Sequence, residues 1–283
     1  MAAKKPTDTS EVSITEIQLT KVTFNLVGES PLVLHAVSFK NKGQLLYPSK
    51  KKNQAEKDSS MKHDPFQEFC DAAYKFHDDD QPTRLYMPGG AFHGAMANAA
   101  IDMVGAKKSQ IGRLTNIVGD KIAVWGVPKI YSTIVRSSDI ARTPDLRTLP
   151  ILPKWAATIT VQFVGSLIKT ASVANLLGAA GVIIGIGDGR PEKGKLAFGK
   201  FRVCADNDSE FLSIIKSGGR KAQDEAIKNP AFYDTETEEL LSWFVEEKNR
   251  RHAAPAKEPK TPALHVAAAK ASTKRNGGKE ARQ

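Results

Sequence analysis

The residues best suited to chemistry lie in one glycine-rich stretch, IGIGDGRPEKGKLAFGK, at positions 184–200. Glycine lacks a Cβ atom, so it accepts positive φ angles and lets backbone N–H groups approach an anion closely. Cationic side chains between the glycines add phosphate contacts, and arginine can form a bidentate one. The competing interpretation is an exposed connection whose charges are solvated. The predicted anion-binding residues are Gly185, Gly187, Gly189, Arg190, Lys193, Gly194, Lys195 and Lys200.

A second glycine motif, LYMPGGAFHGAMANA, occupies positions 85–99. It predicts a short strand over 85–87 and an alanine-rich helix over 91–103. Gly89 and Gly90 then place backbone amides at the helix N-terminus, where the helix dipole favours a phosphate. His93 falls in the first turn, and it either faces the same anion or has a structural role.

Three arginines follow in an extended connection over 136–153. Arg136, Arg142 and Arg147 alternate there with Ser137, Ser138 and Thr143. The segment predicts a thumb-like hairpin that tracks a nucleic-acid backbone through these cations. An exposed loop kept soluble by arginines explains the pattern equally well.

The charge of the chain points to a polyanionic partner. Its 283 residues carry a formal net charge of +10, with a pI near 9.5. Two segments, 40–62 and 253–283, each contain seven Lys or Arg against two Asp or Glu, and together they hold the whole excess. We therefore predict a lysine-rich insertion over 38–63 and a disordered basic tail over 253–283. Aromatic residues make up only 7% of the chain, so a surface covered with base-stacking rings is not expected.

The predicted elements follow the order strand, helix, strands, strand, helix and strand. The principal ones are strand 19–27, helix 91–103, strands 122–127 and 129–135, strand 155–164, helix 170–181 capped by Thr170, and strand 200–205. A further short helix starts at Asp64-Pro65 and carries Phe66, Phe69, Ala73 and Phe76 at helical spacing. The order is typical of a ferredoxin-like (RRM-like) α+β domain with long insertions. The predicted divisions are a flexible N-terminus over 1–15, this domain over 16–206, a helical extension over 207–252 and the tail.

The two glycine motifs together resemble the RAMP superfamily, the ferredoxin-like proteins that form the crRNA-binding backbone of CRISPR effector complexes. IGIGDGRPEKGKLAFGKF is similar to the glycine-rich loop of that family, and LYMPGGAFHGAMANA is similar to the opening of its first helix. Phe92-His93 and Phe198 depart from the family pattern. The resemblance implies a RAMP-type fold over about residues 21–205 and a single-stranded nucleic-acid ligand.

The whole chain also resembles a group of uncharacterised phage proteins. The shared segments are GESPLVLHAVS, LPKWAATITVQF and the glycine-rich loop with its FGKF ending. This resemblance implies a phage-encoded protein in the cytoplasm of a bacterial host, and it supplies no activity.

These features predict non-catalytic binding of single-stranded RNA or DNA by a homo-oligomer or filament, with no cofactor, no metal and no membrane association. The sequence has neither P-loop spacing nor a nucleophile with an evident base. Two alternatives stay open. One is a metal-independent endoribonuclease of RAMP type that uses Glu29 or His93, and the other is a phage assembly protein whose basic tail neutralises packaged nucleic acid.

Substitution Gly187→Val tests the loop at constant charge. It forbids positive φ and places a branched side chain where a phosphate is expected to approach. From the sequence we expect the variant to fold, because the loop is expected at the surface, and to lose most of its affinity for a single strand in a gel shift. A folded variant with unchanged affinity would contradict the loop hypothesis.

Overall fold

The structure is a computed structural model that describes residues 16–38, 42–43, 46, 61–136, 142–194 and 196–253. The strands are β1 (Leu19–Gly28), β2 (Leu32–Val33), β3 (Tyr86–Pro88), β4 (Thr115–Ile117), β5 (Lys121–Trp125), β6 (Lys129–Arg136), β7 (Pro144–Leu152), β8 (Ala156–Val164) and β9 (Phe201–Cys204). The helices are α1 (Pro65–Asp71), α2 (Gly89–Ala99), α3 (Lys108–Leu114), α4 (Thr170–Ala179), α5 (Ser209–Ser217), α6 (Arg220–Lys228) and α7 (Thr235–Ala253), and a π-helical turn spans Ala180–Ile184. The predicted α+β class is confirmed.

The larger sheet is built around the pairing of β1 with β8. Its strand order is β3-β5-β8-β1-β9, with β4 pairing alongside β8, and these pairings are antiparallel. Side chains alternate between the two faces of a strand, and β8 follows this rule closely. Ala157, Ile159, Val161 and Phe163 are buried on one face, while Thr158, Thr160 and Gln162 are partly exposed on the other. The alternation in the sequence therefore sets the buried face of the whole sheet.

Helices α2 and α4 cover that buried face. Phe92 and Met96 of α2 and Leu177 of α4 join the β8 side chains in the main hydrophobic core. Trp155, just before β8, is also fully buried, and its ring packs at 6.1 Å from that of Phe201. The core thus holds the N-terminal turn of α2 near the start of β9.

A smaller antiparallel sheet has the order β2-β7-β6. Strands β6 and β7 form a hairpin in which Arg136 pairs with Pro144 and Lys129 pairs with Ile151. Arg136 and Arg147 therefore lie on the two strands of one hairpin. The predicted strand 129–135 corresponds to β6, whose partner is β7.

Helices α1 and α7 pack against this hairpin. Leu241 of α7 forms a buried cluster with Phe69 of α1 and Ile130 of β6, so the C-terminal helix docks on the domain. His63 lies between Glu68 of α1, at 2.6 Å, and Asp145 of β7, at 3.1 Å. These contacts join the hairpin to α1 at one end.

Helices α5 and α6 close the opposite end of the larger sheet. Phe211 and Ile214 of α5 cover Val27 and Ala156 on the face that α2 and α4 leave open.

The fully buried Gln223 of α6 links five backbone groups. Its Oε1 accepts from Arg84 N and Leu85 N, and its Nε2 lies within donating distance of Val124 O, Gly126 O and Gly218 O.

The structure departs from the sequence expectations in local detail. Helix α1 ends at Asp71, so Phe76 lies outside it and is buried near a β-bridge from Lys75 to Leu85. Thr170 does not cap α4, whose N-cap is Lys169 without a side-chain hydrogen bond. Elements β2, β4, α3 and α6 were not predicted. The terminal segments 1–15 and 254–283, and most of the insertion 38–63, lie outside the described residues. Within the described part, no helix is long and apolar enough to cross a bilayer.

Substitution Gln223→Leu should lower the free energy of unfolding by about 2–4 kcal/mol, because a buried apolar side chain leaves several backbone groups without partners. Urea unfolding followed by circular dichroism measures the change. The matched control is Gln67→Leu on the exposed face of α1, which should stay within about 0.5 kcal/mol of the parent. Equal midpoints for parent and Gln223→Leu would show that the buried amide is dispensable.

Candidate functional site

The two glycine motifs meet at one cleft of about 360 Å³. Its walls are the N-terminal half of α2 and the loop between the π-helical turn and β9, hereafter the 185–200 loop. The segment after β2 closes one end. The residues that line the cleft are His35, Tyr74, Met87, Pro88, Gly90, Ala91, Gly94, Ala95, Asn98, Gly185, Ile186, Gly187, Asp188, Arg190 and Glu192.

Glycine is required in the 185–200 loop because the backbone is left-handed at four positions and tightly packed. The φ angles of Gly185, Gly187, Gly189 and Gly199 lie between +67° and +81°. A Cβ atom on Gly187 would lie 2.5 Å from Val33 O, and one on Gly199 would overlap Ile186 O. These glycines therefore allow the loop to pack on itself and on β2.

Six backbone N–H groups of the loop, where we expected amides to cradle a phosphate, form hydrogen bonds within the protein. Backbone N–H groups need such partners when they are buried. The donors and acceptors are Gly185 N to Ala180 O, Ile186 N to Gly199 O, Asp188 N to Val33 O, Phe198 N to Gly189 O, Gly199 N to Pro31 O and Lys200 N to Ser30 Oγ. These six amides are therefore already engaged within the fold.

A histidine–carboxylate pair lies at one end of the cleft. His35 Nδ1 lies 2.7 Å from Asp188 Oδ2, and the Tyr74 hydroxyl donates to His35 O at 3.0 Å. The hydrogen bond from His35 holds the pKa of the Asp188 carboxyl below its usual range, against burial, which raises it. The N–H of Gly189 and the charge of Arg147 lower the pKa further. Asp188 is thus an ionised acceptor at neutral pH.

A second polar chain crosses the cleft from the loop to α2. Arg190 Nε donates to Glu192 Oε2 at 3.0 Å, and its Nη1 donates to Gly187 O at 3.0 Å. Asn98 Nδ2 donates to Glu192 Oε1 at 2.5 Å. The predicted phosphate ligand Arg190 is therefore engaged mainly in holding the loop.

Other predicted cations are better placed to meet an anion. They make no ion pair with any residue that the structure describes, and most are exposed: Arg136, Arg142, Arg147, Lys193 and the half-buried Lys200. Arg147 lies in a neighbouring groove of about 480 Å³ that shares His35 with the cleft. Phe198 of the loop packs against Tyr131 of β6 with ring centroids 6.1 Å apart. The hairpin and the 185–200 loop are therefore in direct contact.

The first turn of α2 agrees with the prediction only in part. Gly90 lines the cleft, whereas Gly89 is buried and its N–H donates to Asp120 O. His93 does not line the cleft, because at about 100° per residue it is rotated away from the stripe of Gly90, Gly94 and Asn98. Its Nε2 atom is buried and has no hydrogen-bond partner among the residues that the structure describes. His93, although a predicted site residue, therefore lies outside the lining of the cleft.

Sequence reasoning missed several polar residues of the cleft, Asp188 among them. His35, Tyr74, Asn98 and Glu192 come from separate segments, and each has an ordinary local setting. Only the position of Asn98, four residues after Gly94 on the same helix face, was a usable signal. Of the predicted site residues, Gly194 is exposed, and Lys195 lies outside the described residues.

Comparison with known proteins gives distant similarities. No protein-family model matches the chain, and no curated protein matches it. Two solved structures to which it is similar are Cmr6 from Pyrococcus furiosus and a chain of the type III-B Cmr-beta complex bound to cognate target RNA. The first is 10% identical, with a TM-score of 0.34, over 66% of this chain and 98% of that one. The second is 15% identical, with a TM-score of 0.32, over 66% of this chain and 59% of that one. At these values neither similarity assigns a fold family or a function.

The packing around Gly187 revises the expected effect of Gly187→Val. The side chain would collide with Val33 O and would require an unfavourable positive φ, so the loop must leave β2. We expect a fall in unfolding free energy of about 2 kcal/mol or more, seen as a lower melting temperature. Gly90→Ala is the control, because nothing lies within 4 Å of the added Cβ atom. An unchanged melting temperature for Gly187→Val would contradict the packing described.

The lowered pKa of Asp188 predicts a pH dependence of stability. Folding lowers the pKa of this carboxyl below its value in the unfolded chain, which is about 3.9. The carboxyl therefore stabilises the folded state at pH values above the unfolded pKa. This stabilisation is lost as the pH falls through the lower pKa of the folded state. The free energy of unfolding should therefore differ less between about pH 6 and about pH 3 in Asp188→Asn than in the parent. The reduction should be less than about 1 kcal/mol, because the Asp188 side chain is 43% exposed. Urea midpoints at both pH values measure it. The exposed Glu246→Gln serves as control, and an identical pH response in Asp188→Asn and parent would refute the assignment.

Proposed function

We propose that this protein binds single-stranded nucleic acid through its phosphate backbone, along the rim of the cleft and the adjoining face of the β6–β7 hairpin. One observation carries the proposal. Three elements that are far apart in the sequence, namely the α2 N-terminus, the 185–200 loop and the hairpin, surround one continuous surface. Each brings groups that favour a phosphate.

The contacts to phosphate come mainly from side chains. Arg147, in the groove beside the cleft, and Lys193, in the 185–200 loop, have no ion-pair partner among the described residues, so binding a phosphate costs them no existing salt bridge. Gly90 adds an amide in the first turn of α2, where the helix dipole stabilises an anion. Such contacts fix the path of a strand and carry no sequence information.

A single strand suits this surface better than a duplex. The cleft is narrow, because one helix and one loop bound it. In a duplex the bases are paired inside the helix, so they could not enter the cleft. On the face of β1 and β8 that lies away from the core, the central residues are polar and offer no ring for base stacking. They include Thr23, Asn25, Thr158, Thr160 and Gln162, with Thr23 Oγ1 and Thr160 Oγ1 3.0 Å apart.

We further propose that the larger sheet is a ferredoxin-like core of RAMP type. Elements β1, α2, β5, β8, α4 and β9 follow a β-α-β-β-α-β order, and the strands lie side by side as β9-β1-β8-β5. The two motifs that resemble the RAMP loop and first helix both line the cleft. This agreement between motif and position supports a strand-binding subunit. The resemblance to phage proteins extends the proposal to a phage-encoded homo-oligomer or filament in the host cytoplasm.

In this proposal the strand is held and not cut. The endoribonuclease alternative relies on Glu29 or His93, and neither lines the cleft. Incubation of the pure protein with end-labelled RNA, with and without EDTA, separates the two functions. Discrete cleavage products that disappear in the Glu29→Gln or His93→Gln variant would favour the enzyme.

The affinity for a single strand should fall linearly with salt on logarithmic axes. Each neutralised phosphate contributes a slope of about −0.7, so five contacts predict a slope of about −3.5. Fluorescence anisotropy with a labelled single strand over a series of salt concentrations measures the slope. A duplex of the same sequence should bind more weakly, and a flat salt response would exclude the phosphate-based mechanism.

A charge-matched pair of variants tests the location of binding. Arg147→Ala with Lys193→Ala removes two cations beside the cleft and should weaken binding at least about tenfold, which corresponds to about 1.4 kcal/mol. Lys216→Ala with Lys221→Ala removes two exposed cations of α5 and α6 and should change the affinity much less, because distant charges are screened. Equal losses in both double variants would indicate a nonspecific polycation.

Deletion of residues 254–283 distinguishes the phage assembly alternative. If the cleft and the hairpin hold the strand, the shortened protein keeps measurable affinity and still loses it on Arg147→Ala with Lys193→Ala. Complete loss of binding on deletion alone would place binding in the basic tail.

A further inference from the structure

We propose that the cleft between α2 and the 185–200 loop holds one unstacked nucleobase and prefers guanine. The inference rests on the proposed function and deepens it, because it gives a sequence preference to a protein whose other contacts are with phosphate. It concerns the interior of the cleft, whereas the phosphate contacts lie on its rim and on the hairpin.

The size and the walls of the cleft suit a flat aromatic ligand. A volume of about 360 Å³ falls at the lower end of the range for small-molecule sites. One wall consists of Ala91, Gly94 and Ala95, small residues that leave a smooth surface on α2. At one end stand the phenol ring of Tyr74 and the imidazole of His35, and such rings are the usual stacking partners of unpaired bases.

The position of the two rings is fixed before any ligand binds. The Tyr74 hydroxyl donates to His35 O, and His35 Nδ1 is held by Asp188 Oδ2. The Tyr74 ring also packs at 5.6 Å from the ring of Tyr86. A base that enters between the rings and α2 therefore meets a preorganised surface, which limits the ordering entropy lost on binding.

The polar groups of the cleft select the edge of the base. The carboxylates of Asp188 and Glu192 face the cleft, and each offers about four lone-pair sites. The protein uses two on Asp188, for His35 and Gly189 N, and two on Glu192, for Arg190 and Asn98. The remaining lone pairs accept only N–H or O–H donors.

Guanine is the base that matches such an edge. Its N1–H and N2–H groups are adjacent donors that one carboxylate can bind together. Adenine and cytosine present one amino group next to a ring acceptor, and uracil presents one N–H between two carbonyl oxygens, so each brings an acceptor against a carboxylate. The same two carboxylates repel a phosphate, which keeps the backbone outside, near Arg147 and Lys193.

The test compares 12-nucleotide strands that differ at one position. Fluorescence anisotropy at low salt measures the affinity for three oligouridine RNA strands, which carry guanosine, inosine or uridine at the central position. The same three measurements are made with oligothymidine DNA strands. We expect guanosine to improve affinity about tenfold over uridine, as expected for hydrogen bonds to a charged group, and inosine, which lacks the N2 amino group, to lie between.

The variants assign the preference to the cleft. Glu192→Gln should reduce the guanosine preference to less than about threefold, while Glu246→Gln, which removes the same charge from an exposed site on α7, should leave it unchanged. Tyr74→Ala should weaken binding of the guanosine strand, and Tyr74→Phe, which keeps the ring, should retain most of it. Circular dichroism establishes that each variant is folded.

The outcomes separate this inference from the proposed function. Equal affinity of the wild-type protein for all strands of a set overturns the base site and leaves backbone binding in place. A guanosine preference that survives Glu192→Gln and Tyr74→Ala places recognition elsewhere and also overturns it. Failure to bind any of these strands overturns the proposed function itself.

Discussion

The cleft depends on one backbone contact, the hydrogen bond from Asp188 N–H to Val33 O. Through it the glycine-rich loop continues the edge of the smaller sheet, and Gly187 passes the same carbonyl so closely that no side chain fits. Because the hairpin belongs to this sheet, the contact also sets the distance between Arg147 and α2. Backbone packing therefore positions the hairpin cations and the side chains of the 185–200 loop relative to one another.

The sequence predicted the helices and strands in which apolar residues recur at a regular spacing. Strand β8 alternates over the seven residues 157–163 because its two faces meet an apolar core and a polar surface, and that contrast is visible in the residues themselves. Strands β2 and β4 have two and three residues, too few to show a period. Helix α6 was missed because its buried residues are one polar side chain, Gln223, and one small residue, Ala226.

Residue type predicted the components of the site better than their roles. Arg190 and Arg147 were both predicted to bind phosphate. In the structure, Arg190 forms an ion pair with Glu192, whereas Arg147 has no ion pair with any described residue. The loop glycines were interpreted as space for an anion, and in the structure the backbone itself fills that space. His35 and Tyr74 belong to segments that only the tertiary fold brings together, so no local pattern indicated them.

The buried amide of Gln223 has a consequence for how this architecture can be divided. Its side chain hydrogen-bonds to the amides of Arg84 and Leu85 and to the carbonyls of Val124 and Gly126. These four residues lie in or directly beside β3 and β5, at one edge of the larger sheet. A chain ended after β9 would leave that edge with unsatisfied groups facing the interior. Helix α6 is therefore an integral part of the sheet domain, and any gene fusion or domain exchange that keeps the sheet must also keep the chain through residue 228.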